Sequence, residues 1–445
     1  MNILIVGAGA VGFNLAKQLA KDRHNISMLD NDIKKVEYAR EHLDISVSFG
    51  TGTSYQSLLE ANINKVDVFA ALTNNDEVNL IACLVAKKIC NPLTIARVRN
   101  PEYSSDKAIL TNGELGADFL IHPERLVANA IVKLIRQSNA TDFIEFDQGR
   151  IQLLGIRLEN TAKILDVPLK DLGKVIGNPQ MRIVAVKRRE ITIIPRGNDR
   201  LVPGDQIFII CDPDYLNTAL SHFGKKDAKI ENIMIIGGGQ VGRFIAKALE
   251  KEVNIKIIES DSKKALSLSE ELKHSLVLYG DGTDIDLLVF EGLREMDEFV
   301  AVTGDDEANI LTSLLAKHLE VQRTVTLLRK TDYMSLAPSI GMDAAVSKEL
   351  IAVNAIQQFI RKKNVAFFAQ LPGLNAEIIE FIASNSSKII RNPLMYTDFP
   401  KNAIIAAVLK GDALEIPTGS THIETGDKVV VFSLPNAVKN VEKLF

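Results

Sequence analysis

Asn2-Ile-Leu-Ile-Val-Gly-Ala-Gly-Ala-Val-Gly12 decides the fold. Residues 3–6 form an apolar run of strand length, and the apolar spacing over Val11–Ala20 is helical. Between them lies a turn with Gly7, Gly9 and Gly12 at dinucleotide-binding spacing, and with Ala8, Ala10 and Val11 in the variable positions. The first glycine permits the tight turn, the second lets a pyrophosphate approach the backbone, and the third lets helix and strand pack closely. The helix N-terminus offers free N–H groups and the positive end of its dipole to that anion. A second apolar run, 26–29, ends in Asp30, where an acid would hold ribose hydroxyls and repel a 2′-phosphate. NAD or an adenine nucleotide is therefore favoured over NADP. The plainer alternative is a tight strand–helix turn without a ligand.

The stretch occurs twice. Residues 232–242 read Asn-Ile-Met-Ile-Ile-Gly-Gly-Gly-Gln-Val-Gly, so Gly237, Gly238, Gly239, Gln240, Val241 and Gly242 form a second turn, with Glu259 as its acid. Gly50-Thr-Gly-Thr53 is answered by Gly280-Asp-Gly-Thr283, Thr73-Asn-Asn-Asp-Glu-Val-Asn79 by Thr303-Gly-Asp-Asp-Glu-Ala-Asn309, and Arg99 by Arg329. Later, Ile194-Pro-Arg-Gly197 and Pro203-Gly-Asp205 are matched by Ile416-Pro-Thr-Gly419 and Thr425-Gly-Asp427. The chain is two copies of one unit, and each unit has a front and a back part.

In the first front part, apolar runs at 3–6, 26–29, 47–49, 66–72, 93–98 and 119–121 alternate with helical patterns such as Asn79–Lys88. Near-continuous apolar strands separated by helices predict a parallel sheet covered on both faces. The back part has short strands at Ile183–Lys187, Ile191–Ile194 and Gln206–Ile210, preceded by a helix over Pro168–Ile176 with proline in its first turn. The fold class expected is α/β, with two tandem Rossmann-like, doubly wound parallel-sheet domains (1–140 and 231–364). Each is followed by a small α+β C-lobe (141–223 and 365–445), and the Lys-rich stretch 224–230 serves as linker.

Composition narrows the function. The 445 residues carry a net charge of -4, with 46% hydrophobic and 24% charged residues, the make-up of a globular protein without a nucleic-acid footprint. No apolar run approaches the roughly 18 residues of a membrane span, so a membrane role is peripheral. The N-terminus lacks a basic region and cleavage site, so no signal peptide is read. Cys83 and Cys90 share a helical face and read as core, in keeping with a reducing cytosol.

Around the glycine turn, Thr73 and Asn74 end the fourth strand at the sheet's switch point, with Thr303 as counterpart. Asp76 and Asp306 are read as helix caps in preference to metal ligands, although Asp305-Asp306-Glu307 leaves a cation open. Arg97 and Arg99, two apart near the end of a strand, share a face and suit phosphate contacts; the alternative is an ion pair to a neighbouring subunit. Leu327 stands opposite Arg97 in the repeat, so the two sites differ. Thr51 and Gly52 wall the adenine pocket, and in the second copy Gly280 and Asp281 do so, Asp281 being the better acceptor for an adenine amino group.

With these motifs recurring in order, twice, the chain resembles the TrkA family of Trk potassium-uptake regulatory subunits, built of tandem RCK domains, over essentially its whole length. The resemblance implies a cytoplasmic homo-oligomeric ring on the inner face of the membrane. It would dock on a potassium-translocating integral membrane subunit, with NAD(H), ATP or ADP setting the gating. The nucleotide sites carried over are the residues named above, from Gly7 to Arg99 and from Gly237 to Thr303. Thr51 departs from the usual Asp of the turn, and Leu327 from an arginine. The rival reading is an NAD-dependent oxidoreductase. It needs a proton donor or base, for which His122 in Ile121-His122-Pro123-Glu124 is the best candidate, although His-Pro-Glu also starts a helix. A redox-sensing transcription factor needs a helix-turn-helix and a basic face, and the sequence displays neither.

Overall fold

A computed structural model describes the chain except residues 22–23, 104–109, 147–148, 178–179, 190, 226–228, 338, 361–364, 372–373 and 375. The centre of the expected linker and the expected boundary at 364 thus lie outside the described residues.

The first front part runs β1 (Asn2–Val6), α1 (Ala10–Lys21), β2 (Asn25–Asp30), α2 (Ile33–His42), β3 (Ser46–Phe49), α3 (Tyr55–Glu60), β4 (Val68–Ala71), α4 (Asp76–Cys90), β5 (Leu93–Arg97), β6 (Phe119–Ile121) and α5 (Pro123–Arg136). Its parallel sheet has the order β3-β2-β1-β4-β5-β6. The order reverses between β1 and β4, which puts the glycine turn and Thr73 on either side of the switch point. The fourth strand is shorter than its apolar run, because Ile63–Lys65 turns as a 3-10 helix and Val66 N–H bonds back to Ile63.

The first C-lobe contains β7 (Asp142–Phe146), β8 (Ile151–Arg157), α6 (Leu172–Ile176), β9 (Met181–Arg188), β10 (Ile191–Ile193), β11 (Gln206–Cys211) and α7 (Leu216–His222). Its antiparallel order is β10-β9-β11-β8-β7. Pro168 stands outside the helical turns, in extended conformation ahead of the 3-10 turn Leu169–Asp171 and bridged to Arg200, so the expected first-turn proline is corrected.

The second copy repeats both parts. Its front part has β12 (Asn232–Ile236), α8 (Gln240–Leu249), β13 (Asn254–Glu259), α9 (Ser262–Glu271), β14 (Ser275–Tyr279), α10 (Ile285–Phe290), β15 (Glu298–Ala301), α11 (Asp306–His318), β16 (Arg323–Leu328), α12 (Thr331–Leu336), β17 (Ala344–Ser347) and α13 (Lys348–Ile360). The sheet order is β14-β13-β12-β15-β16-β17. The second C-lobe has β18 (Val365–Gln370), β19 (Glu377–Ile382), β20 (Ala403–Lys410), β21 (Ala413–Glu415), β22 (Lys428–Ser433) and α14 (Pro435–Glu442), in the order β18-β19-β22-β20-β21.

Packing cuts across the repeat. Two compact units form, residues 1–127 with 348–360, and residues 128–347 with 361–445. In the first, α13 lies on the first sheet: Ala352, Val353, Ile356 and Phe359 join the core of Ile3, Val11 and Leu15, and Phe359 stacks on Phe119 with ring centroids 4.6 Å apart. In the second unit the two C-lobe sheets share a core, with Phe146, Leu153 and Phe208 of one meeting Ile378, Ala407 and Phe432 of the other. The later turns of α5 belong to this unit as well. Arg323 Nη1 donates to Leu134 O at 2.7 Å, and its Nη2 donates to Ala140 O at 2.6 Å. Among the described residues no helix is long and apolar enough to cross a membrane.

Candidate functional site

Each glycine turn is fixed by its own backbone. Gly7 and Gly237 hold φ of +105° and +99°, a region that side chains disfavour. A Cβ on Gly12 would stand 2.0 Å from Gly7 O, and one on Gly242 2.1 Å from Gly237 O, so helix and strand meet there at backbone distance. Gly9 and Gly239 are the opposite: a Cβ on either would meet no heavy atom within 4 Å. That space opens over the N-termini of α1 and α8, whose first turns carry no acidic residue. A pyrophosphate fits this combination of room, unscreened N–H groups and dipole.

The acids close the other side. Asp30 is buried and accepts from Ala8 N–H at 2.6 Å and from Asp32 N–H at 2.8 Å. Glu259 is likewise buried and accepts from Gly238 N–H at 2.7 Å and Asp261 N–H at 2.8 Å. Each carboxylate thus ties the glycine turn to the loop after the second strand, a holding role beyond the expected ribose contact.

Thr73 stands just past β4. Its N–H and Oγ1 both donate to Asn79 Oδ1, at 2.9 and 2.7 Å, and Asn79 Nδ2 donates to Arg97 O at 2.8 Å. Asn309 repeats this with Thr303 and with Leu327 O. Fully buried, each asparagine laces the ends of two strands beside the switch point. The sequence displayed both residues in its repeated motif, but the polar end of a helical pattern gave no hint of burial. Asn74 follows Thr73 in the same exposed turn.

Other expectations need correction. The caps of α4 and α11 are Asn75, which accepts from Val78 N–H, and Asp305, which accepts from Ala308 N–H. Asp76 instead accepts from the Arg99 and Asn100 amides, both at 2.8 Å, and buried Asp306 accepts from the Arg329 and Lys330 amides. With Glu307 bonded to Lys330 and Tyr333, the acidic run is spoken for, and among the described residues no group of three metal-ligating side chains is placed to hold an ion.

Arg97 ends β5 and is buried. Its Nη2 pairs with Glu124 Oε1 at 3.2 Å, and Lys348 Nζ reaches the same oxygen at 3.4 Å. This ion pair lies within the chain. Burial lowers the Arg97 pKa, Glu124 opposes that shift, and neighbouring Arg99 adds to it. Arg99 lies beyond the strand end, half-buried. The two arginines are electrostatic neighbours, but Arg97 faces its carboxylate.

In the third-strand turns Thr51 Oγ1 meets Thr53 Oγ1 at 3.1 Å, whereas Asp281 Oδ1 accepts from Thr283 N–H and Oγ1, both at 2.8 Å. Gly52 lies against Val6, where a Cβ would come within 2.6 Å of Cγ1. Gly280 is as tight, with Leu287 Cδ2 at 2.4 Å from the same virtual atom. His122 is buried at the start of α5, and its Nδ1 accepts from Arg125 N–H at 3.2 Å. Burial lowers its pKa, against the pull of Glu124. Burial pushes the Cys83 thiol up to about 12, as expected of a core cysteine.

Comparison with known proteins follows the same division. The TrkA-N domain family matches residues 3–123 and 233–348, and the TrkA-C domain family matches residues 153–224 and 378–445. The chain is 34% identical to the Trk system potassium uptake protein TrkA homolog 1 of Methanosarcina mazei, covering 100% of both chains. It is 33% identical to the Trk system potassium uptake protein TrkA of Haemophilus influenzae, over 100% of this chain and 98% of that one. Among solved structures the GsuK RCK domain aligns with a TM-score of 0.63 at 20% identity, covering 100% of this chain and 94% of that chain. The GsuK channel bound to NAD aligns at 0.62, also at 20% identity, covering 100% and 78%. Family models that match both halves of the chain, and 33–34% identity over its whole length to TrkA proteins, place the chain in the TrkA family.

Proposed function

We propose that the chain is a nucleotide-binding regulatory subunit of a potassium-uptake system. The observation that carries this reading is the duplicated turn: open space over Gly9 and Gly239, at helix N-termini with no acid in the first turn, with a buried acid holding each turn in place. NAD(H), ATP or ADP is the ligand class, in keeping with solved relatives described as bound to NAD and to ADP. A ligand that prefers one arrangement of the lobes shifts the protein toward it by its differential affinity, typically by about 1–3 kcal/mol. The partner is a potassium-translocating membrane subunit. The chain assembles as a homo-oligomeric ring, peripheral to the inner face of the membrane.

The first site carries Arg97 and Arg99 and the second carries Leu327 and Arg329, so affinities for di- and triphosphates differ between them. Release of Arg97 from Glu124 is the cost of recruiting it to a phosphate. His122 Nδ1 is taken by the helix that it precedes, the simpler of the two roles read for it, and an assay for dehydrogenase turnover tests the oxidoreductase alternative.

Calorimetric titration of the full chain with NADH, NAD, ATP and ADP tests this. Gly9→Val fills the space over the turn without disturbing packed atoms, and so does Gly239→Val. Each is expected to remove one set of sites and leave the other. Binding unchanged in both variants would move the ligand away from these turns.

A further inference from the structure

One row of side chains on the first C-lobe sheet carries two cations where its counterpart on the second carries one. Gln206 of β11 pairs with Arg157 of β8 on one side and Lys187 of β9 on the other. Directly paired residues present side chains to the same face, so the three stand abreast. The same register in the second C-lobe puts Lys428 between Ile382 and Leu409. That row carries its one cation at the centre, and Leu409 stands where the first sheet has Lys187, so the fold does not require a lysine at position 187.

The row lines a cavity of about 30 Å³ together with Thr141 and Asp142, and Met342 and Asp343 close it from the second front part. Lys187 is only 7% exposed, and its ammonium has no hydrogen-bond or ion-pair partner among the described residues. The two carboxyls at the cavity are engaged elsewhere. Asp343 Oδ2 accepts from Thr324 N–H at 2.8 Å and pairs with Lys317 at 3.1 Å. Asp142 Oδ2 accepts from Thr141 Oγ1 at 2.9 Å and Gln206 Nε2 at 2.8 Å. Burial pushes the Asp142 carboxyl up to about 6, against those hydrogen bonds and the charges of Lys187 and Arg157. As it takes up a proton, the row is left positive.

We propose that this cavity is a binding site for one small monovalent anion of halide size, held by Lys187 with Gln206 and Arg157 beside it. A water needs roughly 10–15 Å³ on this scale, so the space suits a monatomic ion with a single water and is too small for a phosphate.

Two measurements on the full chain test the site. Crystals grown at about pH 5.5 and soaked in sodium bromide should give an anomalous peak beside Lys187. Thermal unfolding in sodium chloride, compared with sodium gluconate at equal ionic strength, should show a chloride-specific gain of roughly a few degrees, larger at about pH 5.5 than at about pH 8. Lys187→Met should abolish both signals, as should Gln206→Glu, which sets a negative charge in the row. Leu409→Met, at the equivalent position of the second C-lobe, should keep them. An empty cavity in bromide, or chloride stabilisation that survives Lys187→Met, overturns the proposal. So does a bromide peak that appears only at molar concentration, with no stabilisation in solution.

Discussion

At the residue scale the two glycine turns solve one packing problem in two ways. In the first, the residue after Gly7 is Ala8, the acid is the shorter Asp30, and the facing position of α2 is Ala39. In the second, Gly238 meets the longer Glu259 and Leu268 of α9, and a Cβ on Gly238 would come within 2.4 Å of Leu268 Cδ1 and 3.0 Å of Glu259 Oε2. Side-chain volume has moved from the turn to the acid and the helix. Gly238→Ala alone should therefore destabilise by about 1–3 kcal/mol, whereas the triple variant with Glu259→Asp and Leu268→Ala should recover most of that loss. Denaturant unfolding of the single, double and triple variants measures the coupling, and a triple variant no better than the single would break the argument. The glycine turns were legible in the sequence because their geometry follows from backbone requirements at fixed spacing, whereas Asp30 and Glu259 were picked out by position for a ribose contact and not for the turn amides they accept from. Arg97 and Asp76 were not. An arginine two residues from another looks free until the fold brings Glu124 and Lys348 to it, and a carboxylate in a helix's first turn looks like a cap until the loop after β5 arrives with two amides.

At the scale of elements, a buried pair anchors the last turn of α5. Glu298 opens β15, Arg323 opens β16, and Arg323 Nη1 lies 2.9 Å from Glu298 Oε1 while also holding Leu134 O. The first copy has Val68 and Leu93 at these places, so the pair is specific to the second. Burial pushes the Glu298 carboxyl up to about 7, helped by Asp343 and Asp297 and opposed by Arg323. A carboxyl whose pKa is raised on folding stabilises in its neutral form. Its contribution is complete below the ordinary value near 4.5 and is lost as pH rises through about 7. Thermal midpoints should therefore fall between about pH 5 and pH 7.5, and Glu298→Gln should flatten that slope. A wild-type midpoint that rises over this interval would contradict the assignment. The strands and helices themselves were readable from apolar periodicity, to within a residue or two at most ends. Their partners were less so, since a period tells which face is apolar and not which surface covers it.

At the scale of the molecule, the repeat predicts four lobes and the packing joins them differently. The shared core of the two C-lobe sheets is built from buried aliphatic and aromatic side chains such as Ile378, Ala407 and Phe432. An Ala407→Asp substitution sets an unpaired charge in that core and should cost at least about 3 kcal/mol. Chemical denaturation reads the loss, and a variant within about 0.5 kcal/mol of the parent would place that face in contact with water. The apolar faces of both C-lobes were visible as strands, but their mutual burial was not, because a duplicated sequence does not say whether its copies pack on each other. The position of α13 has a consequence for biosynthesis. A nascent chain finishes the first glycine-turn sheet early, yet the helix that completes its core is residues 348–360. At about 5–20 residues per second, the ribosome needs on the order of 10–50 s to deliver it after residue 127. Until then Phe119 and its neighbours await their cover, so chains released early expose a sticky surface. Cutting the gene at the linker would yield two halves that each lack a piece of their own interior.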